Sequence, residues 1–540
     1  MHQLAALLAP LGLAAALGAG LGAALAQQTA SPSALLTRLG KVEFAVTCDA
    51  AAQQEFNRAM ALYHSFAWPH AAAAFESVAK ADASCGMAHW GWAMTMLDNP
   101  FVWPANLPPQ KLNDIAAALD AAKTAGLKSQ REQDYVAAIG VFVADRDKLN
   151  HRTRVQAFEE AMAKLAANNP NDTEAAILHA LVTSANFNPA DKTYANQLKA
   201  ARILEPILQA QPDHPGVAHY LIHSYDYPPI AKHGVAAARK YASIAPDAPH
   251  AQHMPSHIFT RLGYWEESIA ANRASAKTAG EVTYDSRHAI DYMVYAHLQL
   301  AQDRAAREMT DHSLAMKPID HFASAYAYAA MPARLALERG EWKTAASIPL
   351  RPESYPWAKY PQAEAANAFA RGIGAAKGGD PSAARAEQAR LTTLSSAAKE
   401  AKIAYWADQI EIQAAMVGAL ALCAEGKTAE CIDALGKSAA REDATEKHVV
   451  TPGPVLPARE MLAEILLDSG KAREALSEYE AVLAKEPNRY RAVAGAMQAA
   501  ERAGESDKAR TYAAHLVKQG AKADEERPTL TYARHLAALK

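Results

Sequence analysis

The chain has 540 residues, 50% of them hydrophobic and only 7% aromatic, which excludes a disordered tail or a fibrous chain and leaves room for several domains or one long repeat array. Lys and Arg total 55 against 58 Asp and Glu, a formal charge of -3, so there is no cationic excess for phosphate backbones and nucleic acid is not expected as a partner. Ala, Leu, Glu, Lys, Arg and Gln dominate while β-branched runs are scarce, the composition of an all-α protein.

Residues 1–26 hold no Asp, Glu, Lys or Arg, run as Ala, Leu and Gly from Leu4, and end in the small-x-small pattern Ala24-Leu25-Ala26. They read as a secretory signal peptide, cleaved or kept as an anchor, followed by a linker over 27–47. No later stretch reads as a membrane span, so the mature chain is expected to be exported, periplasmic or secreted. An oxidising compartment makes the four cysteines candidates for two local disulfides, Cys48–Cys85 and Cys423–Cys431, the second stapling one helical hairpin.

Weak helical pairs are legible at 53–86 and 154–188. Between them, 99–109 is an aromatic, proline-rich loop expected to pack on the solenoid edge, with plugging a groove as the alternative. Gln211-Pro212-Asp213-His214-Pro215 returns in altered form as Ala245-Pro246-Asp247-Ala248-Pro249, and each copy opens a helix through a proline in its first turn. A helix-turn-helix cue follows at Leu262-Gly263-Tyr264-Trp265, again at Arg339-Gly340-Glu341-Trp342, and at Gly426-Lys427-Thr428-Ala429. The segment 348–361 holds four prolines and no helical period, which marks a boundary between two halves. Near the C-terminus, 470–476 recurs at 504–510, the same offset that separates Pro212 from Pro246. In the first of these copies the turn glycine Gly470 is followed by a small residue, an aromatic and a helix-breaking proline: Ala475, Tyr479 and Pro487.

That last pattern resembles the tetratricopeptide repeat, whose unit is about 34 residues long. With Phe56 to Phe66, Ala88-His89-Trp90-Gly91, Asp213-His214-Pro215-Gly216, His253 to Phe259 and Thr451-Pro452-Gly453-Pro454, the chain resembles a group of exported bacterial tetratricopeptide-repeat proteins known mostly by their fold. The resemblance implies a right-handed α-α superhelix of roughly eight to eleven helical hairpins. Its expected parts are an N-terminal superhelix over 48–347, the proline-rich linker 348–361 and a C-terminal superhelix over 362–540.

The sequence holds 20 histidines, and their placement carries the functional signal. His219 and His223 recur one repeat length on as His253 and His257, so two i,i+4 pairs occupy equivalent places on adjacent repeats. In tetratricopeptide repeats the positions of His250, His253 and His257 relative to the turn glycine line the concave groove. The resemblance therefore implies that they face it, with His219, His223 and Asp226 from the preceding unit and His288, Asp291 and Tyr295 from the following one. Neutral imidazoles at this density suit a transition metal: a four-His shell, or with His250, His288 and the aspartates a two-metal site. His219, His223, His250, His253, His257, His288 and Asp291 are the expected ligands, and Asp226 and Tyr295 line the groove or orient the rings. Copper and zinc fit best, nickel shares the ligand set, and iron requires the aspartates. Isolated histidines such as His64, His151 and His297 read as hydrogen-bonded core residues.

Two functional readings follow. One is a metal-binding solenoid, either a carrier or an oxidase- or hydrolase-like metalloenzyme. The other is an interaction scaffold presenting its concave face to an exported protein or peptide, although the Lys, Arg and Asn that clamp peptide carboxylates in this superfamily are here replaced by His and Asp. No H-E-x-x-H, G-x-S-x-G, C-x-x-C or P-loop spacing offers a different chemistry.

Overall fold

The computed structural model describes residues 36–103, 107–281 and 283–538, and the expected signal segment lies outside them. All regular structure among the described residues is helical. Pro215, Pro249, Pro361 and Pro381 sit in the first turn of their helices, where a missing N–H costs nothing. Elsewhere a side chain closes the helix start: Ser129, Asn150 and Asp172 each accept a backbone N–H three residues on. Successive helices pair as hairpins that stack along the chain, from Ala50–His64 on Trp68–Ala81 to Tyr490–Arg502 on Ser506–Gln519, with Pro528–Ala538 as the terminal cap. The result is a TPR-like α-α solenoid. Alanine fills much of its buried surface, so neighbouring helices approach closely.

The interior divides into two main apolar clusters, one running from Leu39 to Phe259 and the other from Ala301 to Leu536. The change of core therefore falls between Phe259 and Ala301, upstream of the boundary expected at 348–361. That proline-rich stretch is part of the second core, with Ile348, Tyr355 and Trp357 buried in it. The expected linker is likewise packed where it is described: Phe44 is fully buried, Lys41 N donates to Asp213 O at 3.0 Å, and Arg38 pairs with Asp247 at 2.6 Å. Ala404–Ala424 is, against expectation, long and apolar enough by composition to cross a membrane; here it is packed between Pro381–Glu400 and Thr428–Asp443. Cys48–Cys85 and Cys423–Cys431 form the two expected disulfides, with Cα atoms 5.0 and 5.3 Å apart.

Long-range contacts close the solenoid on itself. Ala50–His64 packs against Pro215–Tyr225, and Tyr284–Gln299 against Tyr490–Arg502. At the repeat turn, Gly263 takes φ +68° and lies so close to Pro487 that an added Cβ would stand 2.2 Å from its carbonyl oxygen. Asn488 seals this contact: its Nδ2 donates to Gly263 O at 3.1 Å and its carbonyl accepts Trp265 Nε1 at 2.9 Å. Gly263→Ala combines left-handed strain with a backbone clash and should cost about 3 kcal/mol. Gly470→Ala, at φ +78° with open space around it, should cost about 1 kcal/mol. Thermal denaturation of the two variants checks this, and equal losses would show that the contact between residues 263 and 488 contributes nothing.

Candidate functional site

Three helical segments meet at the seam between the two cores. Pro215–Tyr225 carries His219 and His223 one turn apart. The first helix of the next repeat is interrupted at Met254, because Pro255 has no N–H to continue the ladder, and its halves Pro249–His253 and Pro255–Arg261 carry His250, His253 and His257. Tyr284–Gln299 brings His288. The imidazoles form two triads, His219/His223/His250 and His253/His257/His288, each with one nitrogen per ring within 4.8 Å of the others. The stacked pairs predicted from the repeat spacing are thus each completed by a third ring, His250 on one side and His288 on the other. The triads are adjacent, with ring centroids 5.9 Å apart for His223 and His257 and 6.2 Å apart for His250 and His253.

The hydrogen bonds on the outer ring nitrogens decide where the protons are. His257 Nδ1 donates to Asp226 Oδ2 at 2.9 Å, and His253 Nδ1 donates to Asn272 Oδ1 at 2.6 Å. The Asn272 amide is itself oriented, since its Nδ2 donates to Ser268 O at 2.8 Å. His219 Nδ1 donates to the main-chain carbonyl of His64 at 2.7 Å. Each of these three neutral rings therefore presents a bare Nε2 inward. The inward nitrogens of His253 and His257 stand 3.0 Å apart, two lone pairs facing one another with no proton between them. His250 Nε2 lies 3.1 Å from His219 Nε2, and His223 Nε2 is buried with no partner.

Protonation does not relieve this arrangement. Burial drives His219, His223, His250, His253 and His288 well below an ordinary imidazole, and the neighbouring rings push further in the same direction. Burial also lowers His257, against the pull of Asp226. Burial alone would raise the Asp226 carboxyl, but Lys447, Arg261 and His257 together hold it well below the carboxylate range. Arg261 Nε donates to Asp226 Oδ1 at 2.8 Å and Lys447 Nζ to Oδ2 at 3.3 Å. The donor set fits a metal ion. Two imidazole nitrogens on a tetrahedral ion lie about 3.3 Å apart at an ordinary bond length of about 2.0 Å, so the 3.0 Å pair needs little adjustment.

The site is covered. His219, His223, His253 and His257 are buried, and His250 and His288 are half-buried. Phe101, from the proline-rich loop, stacks on His223 with centroids 3.8 Å apart, so this loop plugs the patch. Phe66 stacks on His250, Tyr241 on His219, and the Tyr292 ring meets His253 edge-on. The irregular stretch 445–454 covers the other side through Lys447 and through Tyr292, whose hydroxyl donates to the carbonyls of Val449 and Thr451, both at 3.1 Å. Asp291 and Tyr295, both expected at the patch, join neither triad. Asp291 Oδ1 forms a buried ion pair with Arg334, which also donates to Thr451 Oγ1, and Asp291 Oδ2 is buried with no hydrogen-bond partner. Tyr295 does not line the patch, because its hydroxyl lies between Arg489 and Glu486. Both side chains point along a helix face that the C-terminal repeats cover.

A third convergence, His64, Glu174 and His214, carries no spacing signal in the sequence. All three are buried, and their protons are accounted for without an ion. Val217 N–H donates to His214 Nδ1, leaving its Nε2–H for Glu174 Oε1 at 2.7 Å. His64 bridges the Tyr220 hydroxyl and Glu174 Oε2 at 2.8 and 3.1 Å. Gly216 permits this approach, since a Cβ there would stand 2.5 Å from His64 Nδ1. The trio thereby holds the carbonyl that orients His219.

No protein-family model matches the chain, and no curated protein matches it. Among solved structures, Naa15/Naa10 bound to HypK-THB is similar at 13% identity over 90% of this chain and 74% of that one, with a TM-score of 0.26. A human IFIT1 dimer shares 10% identity over 84% of this chain and 90% of its own, with a TM-score of 0.35. The P58(IPK) TPR domain shares 12% identity over 85% of this chain and all of its own, with a TM-score of 0.22.

The buried imidazoles set the acid sensitivity of the protein. In the unfolded chain they titrate near 6.5, whereas burial, aided by Lys447 at His448 and opposed by Asp320 at His321, holds His321 at about 4 and His448 at about 3 in the folded one. Below pH 6.5 the unfolded state takes up protons that the folded state refuses, so their contribution is complete above pH 6.5 and is lost progressively toward pH 4. The melting temperature should fall steadily across that interval. A flat profile would mean that the rings are not neutral and buried.

Proposed function

We propose that this chain is an exported metal-binding solenoid in which the two histidine triads hold transition-metal ions, copper or zinc by preference. What supports this most directly is the 3.0 Å approach of His253 and His257 through nitrogens that both lack a proton. Two lone pairs at that distance repel unless a cation lies between them, and burial opposes a shared proton. The unpartnered buried Nε2 of His223 supports the same reading at the other triad. Nitrogen ligands without thiolate suit copper, zinc or nickel, and iron loses support because neither Asp226 nor Asp291 offers the triads an oxygen. A bound ion would supply Lewis-acid or redox chemistry. The chain's residues do the rest: Asp226, Asn272 and the His64 carbonyl orient the rings, and Phe66, Phe101 and Tyr292 exclude water. His250 and His288, with their exposed edges, give an ion or reactant its approach, which is where an oxidase- or hydrolase-like reaction would take place.

An exported protein or peptide partner is consistent with a TPR-like solenoid. It would have to seat elsewhere, because Phe101 and the 445–454 stretch already cover the histidines. The 1–26 segment supports the exported location.

Elemental analysis of untagged protein purified from the periplasm, beside His253→Ala/His257→Ala, tests the proposal. The parent should carry stoichiometric metal and the double variant should lose the ion of its triad. Metal at a hundred times its Kd should stabilise the parent by about 2.7 kcal/mol, reversibly with chelator. A parent that stays metal-free after incubation with copper and zinc sinks the proposal.

A further inference from the structure

Resting on the metal-binding reading above, we propose that the triads select monovalent copper, copper(I), over divalent ions. Charge separates the two kinds of ion. All six ligands are neutral imidazoles, and among the described residues no carboxylate oxygen joins the converging nitrogens of either triad to offset a dication. Asp226 touches only the outer nitrogen of His257 and is shared with Arg261 and Lys447, so these three neighbours sum to one positive charge. Asp291 pairs with Arg334 through Oδ1 and belongs to neither triad, and Glu174 is taken by His64 and His214. Tyr292, the one phenol against the second triad, turns its hydroxyl away to the carbonyls of Val449 and Thr451. The remaining walls, Phe66, Phe101 and Tyr241, are aromatic faces that solvate charge poorly.

The cost of moving an ion from water into such a setting grows with the square of its charge. Two dications side by side would also repel each other four times as strongly as two monocations at the same separation. Imidazole suits copper and zinc alike, so the surroundings rather than the donor atoms decide between them.

The test uses the full-length mature protein. Under anaerobic conditions with ascorbate it is titrated with copper(I) against a copper(I)-specific chelator, and in parallel with zinc(II), with bound metal counted after gel filtration. The expected result is two copper(I) per chain and, at equal free concentration, zinc(II) occupancy at least tenfold lower. Lys447→Met removes one positive charge without removing a ligand. Since an ion's interaction with a fixed charge is proportional to its own charge, the factor by which zinc(II) affinity rises should be the square of that for copper(I). Zinc(II) filling both triads as tightly as copper(I) overturns the selectivity while leaving metal binding intact. A chain that binds neither ion overturns both proposals.

Discussion

Asp226 constrains this molecule more than any other residue. Its carboxylate fixes the His257 proton on the outer nitrogen, and Asn272 does the same for His253, so the two inward nitrogens meet bare. The fold then has to hold two lone pairs at 3.0 Å in a water-excluded seam. Asp226 can do this while buried because Arg261 and Lys447 reach it from two different parts of the chain, one from the adjoining repeat and one from the covering stretch in the C-terminal half. Removing Asp226 would leave Arg261 and Lys447 buried without their shared partner, which is among the more expensive changes a protein interior can undergo.

The same seam explains why the solenoid closes. A stack of helical hairpins is ordinarily open along its groove, and histidines lining it would be wet and would titrate near their usual value. Here the first described helix returns to Pro215–Tyr225, and the C-terminal repeats return to Gly263 and Tyr284–Gln299. Closure converts a groove into an interior. That burial lowers the imidazoles, keeping them neutral and ligand-competent, and among the described residues no carboxylate joins either triad. The arrangement therefore favours metal binding and penalises high ionic charge through one cause.

The helical pairs, the two disulfides and the grouping of His219, His223, His253 and His257 were legible in the chain itself, because each depends on local spacing: the helical turn, the repeat length, and short loops between cysteines. The third members, His250 and His288, were expected among the ligands from their groove-facing positions, but not which pair each completes. The Phe101 plug goes against the edge packing expected of its loop. Asp291 misled because a helix position says which face a side chain is on but not what later packs against that face; Arg334 and the 445–454 stretch claimed it. Tyr295 was lost to Arg489 for the same reason. His64, Glu174 and His214 gave no signal at all, since their separations along the chain follow from how the solenoid curls, not from any repeat.

By itself, then, the sequence determined the all-helical repeat architecture, its cysteine pairing and a suspicious density of imidazole on adjacent helices, all consequences of short-range periodicity. Only the tertiary structure decided which nitrogens carry protons, which aspartate serves the rings and which pairs with arginine, and that the patch is buried rather than open. Those outcomes depend on contacts between residues far apart along the chain, and the free energy of placing a proton or an ion there is set by the whole of the surrounding charge and burial, which no local pattern encodes.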